Sequence, residues 1–102
     1  MDSLQVIAEP RRRAILRMVW DEELAAGAIA SRFDVSFAAV SQHLAVLRDR
    51  GLVTVRRDGT RRLYQANREA LGPLGQVLEQ MWATQLDELA TLAEAAEREQ
   101  RR

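Results

Sequence analysis

The sequence has no cysteine, a single histidine and only two prolines among its 102 residues. Without cysteine it can form no disulfide, thiolate metal site or iron–sulfur cluster, and it has no cysteine nucleophile. One histidine, His43, excludes any multi-histidine metal site. No apolar run approaches the roughly 20 residues that a membrane-spanning helix needs. We therefore expect no metal cofactor and no membrane segment.

The charged residues balance in number but not in position. All fifteen basic residues are arginines, and fifteen acids bring the formal net charge to zero. Residues 11–68 nevertheless hold twelve arginines against six acids, whereas residues 1–10 and 69–102 are both acidic. A basic central segment between acidic ends indicates a focused anion-binding surface rather than general binding of polyanions.

The composition is typical of a small globular protein. Hydrophobic residues make up 47% and charged residues 29% of the chain, and the abundance of alanine, leucine, arginine and glutamate predicts a mainly helical fold. The length fits one domain, residues 1–102. The first residues have neither the basic segment nor the apolar stretch of a signal peptide, so we expect a cytoplasmic location.

Apolar residues at helical spacing predict about five helices. A short first helix runs towards Ala8, and Pro10 suits the first turn of a second helix. Between residues 25 and 50, two further helices are separated by about three residues. The second of these is capped by Ser36 and ended by Gly51. Two helices joined in this way form a helix-turn-helix.

After residue 51 the spacing of apolar residues no longer has the period of a helix. Residues 52–57 and 60–65 are β-prone runs separated by Asp58-Gly59, and Asp-Gly between two such runs is a strong hairpin signal. A helix-turn-helix followed directly by a hairpin is a winged helix. We therefore predict a winged helix-turn-helix fold with a two-stranded wing over residues 52–65.

The predicted wing carries four arginines within seven residues. With Asp58-Gly59 as the loop, Arg56 would lie directly opposite Arg61, and like charges in this position destabilise a sheet. A bound phosphate removes that penalty because guanidinium groups match its geometry. The alternative is a solvated hairpin whose arginines splay apart. The predicted DNA contacts of the wing are Arg56, Arg57, Arg61 and Arg62.

The fourth helix has an apolar inner side formed by Val40, Leu44 and Leu47. The N-terminal part of its outer side then carries Phe37, Ala38, Ser41 and Gln42. This part of a recognition helix meets base edges in the major groove. Gln42 can pair with adenine, and Phe37 or Ala38 can touch a thymine methyl group. The alternative is that Ser41 and Gln42 are ordinary exposed helix residues.

A long last helix is predicted over residues 67–97, with an apolar stripe too large for so small a protein to cover. Large exposed apolar patches usually mark interfaces. A two-fold dimer through the first and last helices would cover the stripe and separate two recognition helices by about 34–36 Å. The alternative is a last helix that folds back on its own domain. The predicted interface residues are Leu4, Ile7, Leu78, Met81, Trp82, Leu86 and Leu89.

Several stretches of the sequence together match a known pattern. They are residues 10–16, 29–33, 40–48, 51–53 and 56–64, and the Ser41-Gln42-His43-Leu44 stretch and the arginine-rich wing are the most specific. Over roughly residues 4–92 the chain resembles the ArsR/SmtB family of bacterial repressors. The resemblance implies a homodimeric winged helix that binds double-stranded operator DNA and represses transcription. It also implies that the four recognition-helix residues named above face the groove.

The sequence departs from the metal-sensing members of that family. Those members use a cysteine motif near the recognition helix, or histidine and acidic ligands on the last helix, and this chain has no cysteine at all and no histidine on its last helix. The resemblance therefore implies a member without a recognisable metal site. Any small-molecule inducer would be of unidentified chemistry.

The sequence thus favours a sequence-specific, DNA-binding transcriptional regulator that acts as a homodimeric repressor on a two-fold operator and does not sense metal. The competing hypothesis is a protein-interaction winged helix that binds an acidic protein surface through its wing and fourth helix. An enzyme is not expected, since no carboxylate pair, nucleophile–base spacing or phosphate-cradling glycine loop is present.

Overall fold

The computed structural model describes residues 2–84, and the predicted winged helix-turn-helix fold is confirmed. Within them, residues 2–71 form one compact unit and residues 72–84 belong to a second. Residues 73–84 are helical and are called α6. Leu86 and Leu89, with the end of the predicted last helix, lie outside the described residues. The preceding elements are α1 (Ser3–Ala8), α2 (Pro10–Met18), β1 (Leu24–Ala25), α3 (Ala26–Ala30), α4 (Phe37–Asp49), β2 (Val53–Asp58), β3 (Arg61–Ala66) and α5 (Arg68–Leu71).

The predicted helix over residues 67–97 is interrupted near its start. Asn67 caps the short helix α5, where its side-chain oxygen accepts from the Ala70 amide at 3.4 Å. After α5 ends at Leu71, Gly72 has a φ of +56°, a left-handed conformation that glycine adopts without a Cβ clash. The predicted long helix is therefore two helices, α5 and α6, separated by this glycine.

The corner between α1 and α2 explains two of the three consecutive arginines in the sequence. Glu9 caps α2, because its carboxylate accepts from the Arg12 amide at 2.9 Å. The Arg12 side chain donates to the Val6 carbonyl at 2.7 Å, and Arg13 donates to the Ala8 carbonyl at 2.8 Å. The last carbonyls of a helix have no partner within it, so these two guanidinium groups satisfy the end of α1.

Local cap chemistry sets both ends of α4. The Ser36 hydroxyl accepts from the Ala39 amide at 3.1 Å, which is the expected N-cap bond. At the other end Gly51 has a φ of +74°, and its amide donates to the Arg48 carbonyl at 2.9 Å. Both ends of the predicted recognition helix are therefore confirmed.

The core of the first unit combines the inner faces of its helices with the base of its sheet. On α4 the three predicted inward residues, Val40, Leu44 and Leu47, are buried. Since core residues lie at helical spacing in α4, its opposite side is free to carry other functions. The remaining buried apolar residues of this unit are Val6, Ile7, Ile15, Leu16, Val19, Trp20, Ile29, Leu52, Val53, Leu63, Tyr64 and Leu71.

The wing is part of a three-stranded antiparallel sheet in the order β1-β3-β2. The sequence predicted only the hairpin, and the additional strand, β1, pairs Leu24 with Tyr64. The predicted loop was also wrong by one residue. Asp58 belongs to β2 and pairs with Arg61, so the loop is Gly59-Thr60.

The shifted loop has a physical reason in the backbone angles. An Asp58-Gly59 loop of type I′ would need positive φ at both residues, whereas a type II′ loop needs glycine only at its first position. Gly59 has a φ of +63°, and no non-glycine residue in the described chain has a positive φ. Placing Gly59 first therefore leaves Asp58 in extended backbone.

Hydrogen bonds fasten the end of the sheet to the helices around it. The Ala66 amide donates to the Val19 carbonyl at 2.9 Å, and the Asn67 amide donates to the Leu52 carbonyl at 2.8 Å. The Arg68 guanidinium donates to the Trp20 carbonyl at 2.8 Å, pairs with Asp21 and lies 4.9 Å from the centre of the Trp20 ring. The wing is thereby held at its base in a fixed position relative to α2 and α4.

Candidate nucleic-acid interface

The outer side of α4 begins with an apolar surface. Phe37, the first residue of the helix, has 58% of its surface exposed. Ala38 and Gln42 are also exposed, and Ser41 is half-buried. All four predicted groove residues thus lie at or near the N-terminal half of one helix, with Phe37 and Gln42 most open to a partner.

The four wing arginines divide between the two faces of the sheet. Arg57 lies directly opposite Arg62, and opposite residues share a face because side chains alternate along a strand. Arg56 and Arg61 lie on the other face. The expected Arg56–Arg61 opposition is wrong, because the shifted loop places Leu63 opposite Arg56.

Arg56 has an acidic partner that the sequence did not reveal. Its Nε donates to a Glu23 carboxylate oxygen at 2.9 Å. Glu23 immediately precedes β1, so Arg56 reaches from β2 across the central strand. The hydrogen bond from Arg56 to Glu23 and the negative charge of that carboxylate raise the pKa of Arg56. No local pattern signals this pair, since its members are 33 positions apart.

Arg61 also has an acidic partner on the same face. Its guanidinium lies 3.4 Å from the Asp58 carboxylate across the turn. The charges of Arg56, Arg61, Glu23 and Asp58 therefore cancel. Within residues 2–84, no ion pair involves Arg57 or Arg62. We call the surface formed by these two residues the Arg57–Arg62 face.

His43 lies on the flank of α4 that meets the α1–α2 corner. Its Nδ1 is 3.8 Å from a Glu9 carboxylate oxygen, and both side chains are partly buried. This contact links α4 to the α1–α2 corner. Within residues 2–84, the structure brings together no group of three or more side chains able to hold a metal ion.

The residues predicted for the dimer interface fall into two groups in the isolated chain. Leu4 and Met81 are exposed, and Val77, which the sequence reasoning missed, is exposed on α6 as well. The helical spacing of Val77 and Met81 could have indicated their shared face. Ile7, Leu78 and Trp82 are buried, so they have little surface left for a partner. No helix in residues 2–84 is long and apolar enough to cross a membrane.

Comparison with known proteins identifies relatives over most of the chain. A family model described as a helix-turn-helix domain matches residues 7–56. The chain is 40% identical over 91 residues to the HTH-type transcriptional regulator Rv2034 of Mycobacterium tuberculosis, which covers 89% of this chain and 85% of that protein. It is 36% identical to the arsenical resistance operon repressor of Staphylococcus xylosus, over 74% of this chain and 73% of the repressor.

A solved structure supports the same assignment. The solution structure of the homodimeric winged helix-turn-helix DNA-binding domain Mb0332 from Mycobacterium bovis, described as a possible ArsR-family regulator, matches with a TM-score of 0.66. The match is at 30% identity and covers 78% of this chain and 73% of that one. The fold and these relatives together show that the chain belongs to the ArsR family of winged helix-turn-helix proteins, which are DNA-binding transcriptional regulators and not enzymes.

Proposed function

We propose that the protein is a homodimeric transcriptional repressor that binds two-fold operator DNA through α4 and the Arg57–Arg62 face. One observation carries the assignment of the phosphate site. Arg57 and Arg62 lie directly opposite each other without an acidic partner in the described chain, and the outer side of α4, which precedes the wing in the chain, is exposed. The cytoplasm, where operator DNA lies, is the compartment that this function requires.

A phosphate group accounts for the arrangement of Arg57 and Arg62. Two like charges directly opposite in a sheet are destabilising, so the pair weakens the free protein. Guanidinium groups donate two parallel hydrogen bonds to phosphate oxygens. A DNA phosphate between the two side chains would replace their repulsion with two attractions.

Arg56 and Arg61 have a smaller part in this proposal than the sequence suggested. Glu23 and Asp58 neutralise them, and a phosphate would have to compete with carboxylates that are already close. We therefore assign the main backbone contacts of the wing to Arg57 and Arg62. The predicted base contacts remain with Phe37, Ala38, Ser41 and Gln42.

The homodimer is supported by exposed apolar residues on α1 and α6. Val77 and Met81, four residues apart on α6, present large hydrophobic side chains to solvent, and Leu4 does so on α1; exposed apolar patches mark interfaces. The Mycobacterium bovis relative is homodimeric. Repression is supported by the Staphylococcus xylosus relative, which is named a repressor. Sedimentation at micromolar concentration should give a dimer, and a species of only 11.6 kDa would contradict this part.

The salt dependence of DNA binding tests the phosphate assignment. Affinity should be measured across a salt series on a duplex selected from a random pool. Removing two phosphate contacts from each protomer, with Arg57→Ala and Arg62→Ala, removes four from the dimer. Because the log–log slope is about −0.9 per contact, the slope should become less negative by roughly 3.6.

Arg56→Ala with Arg61→Ala is the matched control, since it also removes two wing arginines from each protomer. Its slope should change by less than about 1 in log–log units, because Arg56 and Arg61, paired with Glu23 and Asp58, contribute little to phosphate contacts in this proposal. Equal effects of the two double variants would contradict the assignment to the Arg57–Arg62 face. A partner that survives nuclease treatment in a pulldown, with no DNA binding by the wild type, would favour the protein-interaction alternative.

A further inference from the structure

The first turn of α4 offers DNA no free polar side chain. The Ser36 hydroxyl oxygen accepts from the Ala39 amide as the cap of the helix, and the first three helical residues, Phe37, Ala38 and Ala39, are apolar. Gln42, more than one turn into the helix, is the first fully exposed polar side chain. The N-terminal residues of a recognition helix contact base edges, so the first turn of α4, residues 37–39, has no side chain for hydrogen-bonded readout.

Phe37 instead presents a large apolar ring at this position. Four large hydrophobic residues are exposed in the described chain, and three of them, Leu4, Val77 and Met81, lie on α1 or α6. Phe37 is the one on the helix-turn-helix. It is therefore not among the residues assigned above to dimerisation, and in the proposed complex DNA is the partner available to it.

The major groove contains only one apolar group that such a ring can recognise. Thymine presents a C5-methyl group there, whereas cytosine, adenine and guanine present hydrogen-bonding groups. A cytosine methylated at C5 carries the same methyl group at the same ring position. The base partner of Phe37 is thus defined by this methyl group and not by the Watson–Crick edge.

We propose that Phe37 selects a C5-methylated pyrimidine, either thymine or 5-methylcytosine, in each half-site of the operator. This inference rests on the proposed DNA-binding function and adds the chemistry that the N-terminus of α4 reads. It makes Phe37 a specificity-determining residue. It also makes binding sensitive to cytosine methylation wherever a cytosine replaces that thymine.

The expected change in DNA affinity follows from the burial of one methyl group. Covering one such group corresponds to about a fourfold change in affinity per half-site. Two half-sites in a dimer complex give roughly fifteenfold when both are changed, provided that they contribute independently. Such a change is measurable by fluorescence anisotropy.

The test uses the wild-type protein and modified DNA, so it does not depend on the folding of a variant. A duplex selected from a random pool is prepared with each thymine replaced in turn by deoxyuridine, which lacks only the methyl group. One thymine in each half-site should be sensitive and lose about fourfold. At that position 5-methylcytosine paired with guanine should bind about fourfold more tightly than cytosine paired with guanine.

Protein variants then assign the effect to the ring. Phe37→Ser should abolish the discrimination between thymine and deoxyuridine, and Phe37→Leu should keep part of it. Gln42→Ala is the control, because it should weaken binding without removing the methyl effect. Thermal unfolding should change little in Phe37→Ser, since the ring is 58% exposed.

Three results would overturn the inference. In the first, every thymine tolerates deoxyuridine. In the second, the discrimination persists in Phe37→Ser. In the third, 5-methylcytosine and cytosine are bound equally at the sensitive position. Failure of the wild type to select any sequence would instead refute the proposed function itself, and the two failures are therefore distinguishable.

Discussion

Replacing Arg62 with threonine should stabilise the protein while weakening its binding to DNA. Arg62 lies directly opposite Arg57 in the wing, and neither has an ion-pair partner in the described chain. Threonine is favoured in strands and removes the repulsion without leaving a buried group unpaired. The opposite signs of the two effects follow from assigning this arginine pair to phosphate binding.

Solvent exposure of the two arginines limits the gain in stability expected from Arg62→Thr. Both arginines are exposed, and a like-charge cross-strand pair is worth roughly 0.2–1 kcal/mol. We expect a gain of about 0.5 kcal/mol in the free energy of unfolding at low salt. The gain should shrink as salt increases, since the Debye length falls from about 30 Å at 0.01 M to about 3 Å at 1 M.

Urea unfolding followed by far-ultraviolet circular dichroism measures this gain. It should be done at one protein concentration, because the stability of a dimer depends on concentration. Arg61→Thr is the matched control, as it removes an arginine that has an acidic partner, Asp58, and should give no gain. In DNA binding, Arg62→Thr should make the salt slope less negative by roughly 1.8 for a dimer.

Destabilisation of the protein by Arg62→Thr at low salt would contradict a repulsion between Arg57 and Arg62. The repulsion is also refuted if the gain is the same at 0.01 M and 1 M salt, because a charge effect between exposed groups must be screened. A stabilised variant with unchanged DNA affinity would show that Arg57 and Arg62 repel each other but that Arg62 does not contact phosphate.

Two further predictions concern the parts that hold the wing and α4 in place. Arg68→Ala should lower the free energy of unfolding by about 2 kcal/mol, since it removes a charged hydrogen bond to the Trp20 carbonyl and a cation–π contact. Arg68→Lys should recover only part of this loss. The control Arg48→Ala, at an exposed site, should lower the free energy of unfolding by less than about 0.5 kcal/mol. Gly51→Ala should cost about 1 kcal/mol, because Gly51 has a φ of +74° and a Cβ is strained there. For each variant, a lower urea midpoint with an unchanged m-value would agree with the prediction. A midpoint equal to that of the wild type would contradict the prediction for that variant.

The sequence predicts best those features that depend on neighbouring residues. The ends of α4 follow from Ser36 and Gly51, and the inner side of that helix follows from the spacing of its apolar residues. In each case the partners lie within a few positions of one another. The hydrogen bonds and burial in the structure agree with these predictions.

The sequence predicted that the wing is a hairpin, but not which residues lie opposite each other across its two strands. Both Asp58-Gly59 and Gly59-Thr60 are acceptable two-residue loops, and the choice between them depends on the backbone angles of Asp58. A shift of the loop by one residue changes the cross-strand partner of Arg56 from Arg61 to Leu63. The predicted like-charge pair was therefore assigned to the wrong face of the hairpin.

Contacts between distant positions could not be predicted. Glu23 and Asp21 belong to the acidic run of residues 21–23 that follows α2, and nothing local connects them to Arg56 or Arg68. The strand β1 has only two residues, which is too short for a recognisable period. Its existence depends on the hairpin already being in place.

The position of β1 affects how the protein can discriminate between DNA sequences. Since β1 ends at Ala25 and α3 begins at Ala26, the edge of the sheet is joined to the helix-turn-helix without an intervening loop. In the proposed complex, the distance between α4 and the Arg57–Arg62 face is then set by the protein before DNA arrives. The duplex must bend or change its groove width to meet both contacts, at an energy cost that depends on its base steps. Sequences that deform easily should therefore be preferred even at positions that no side chain touches.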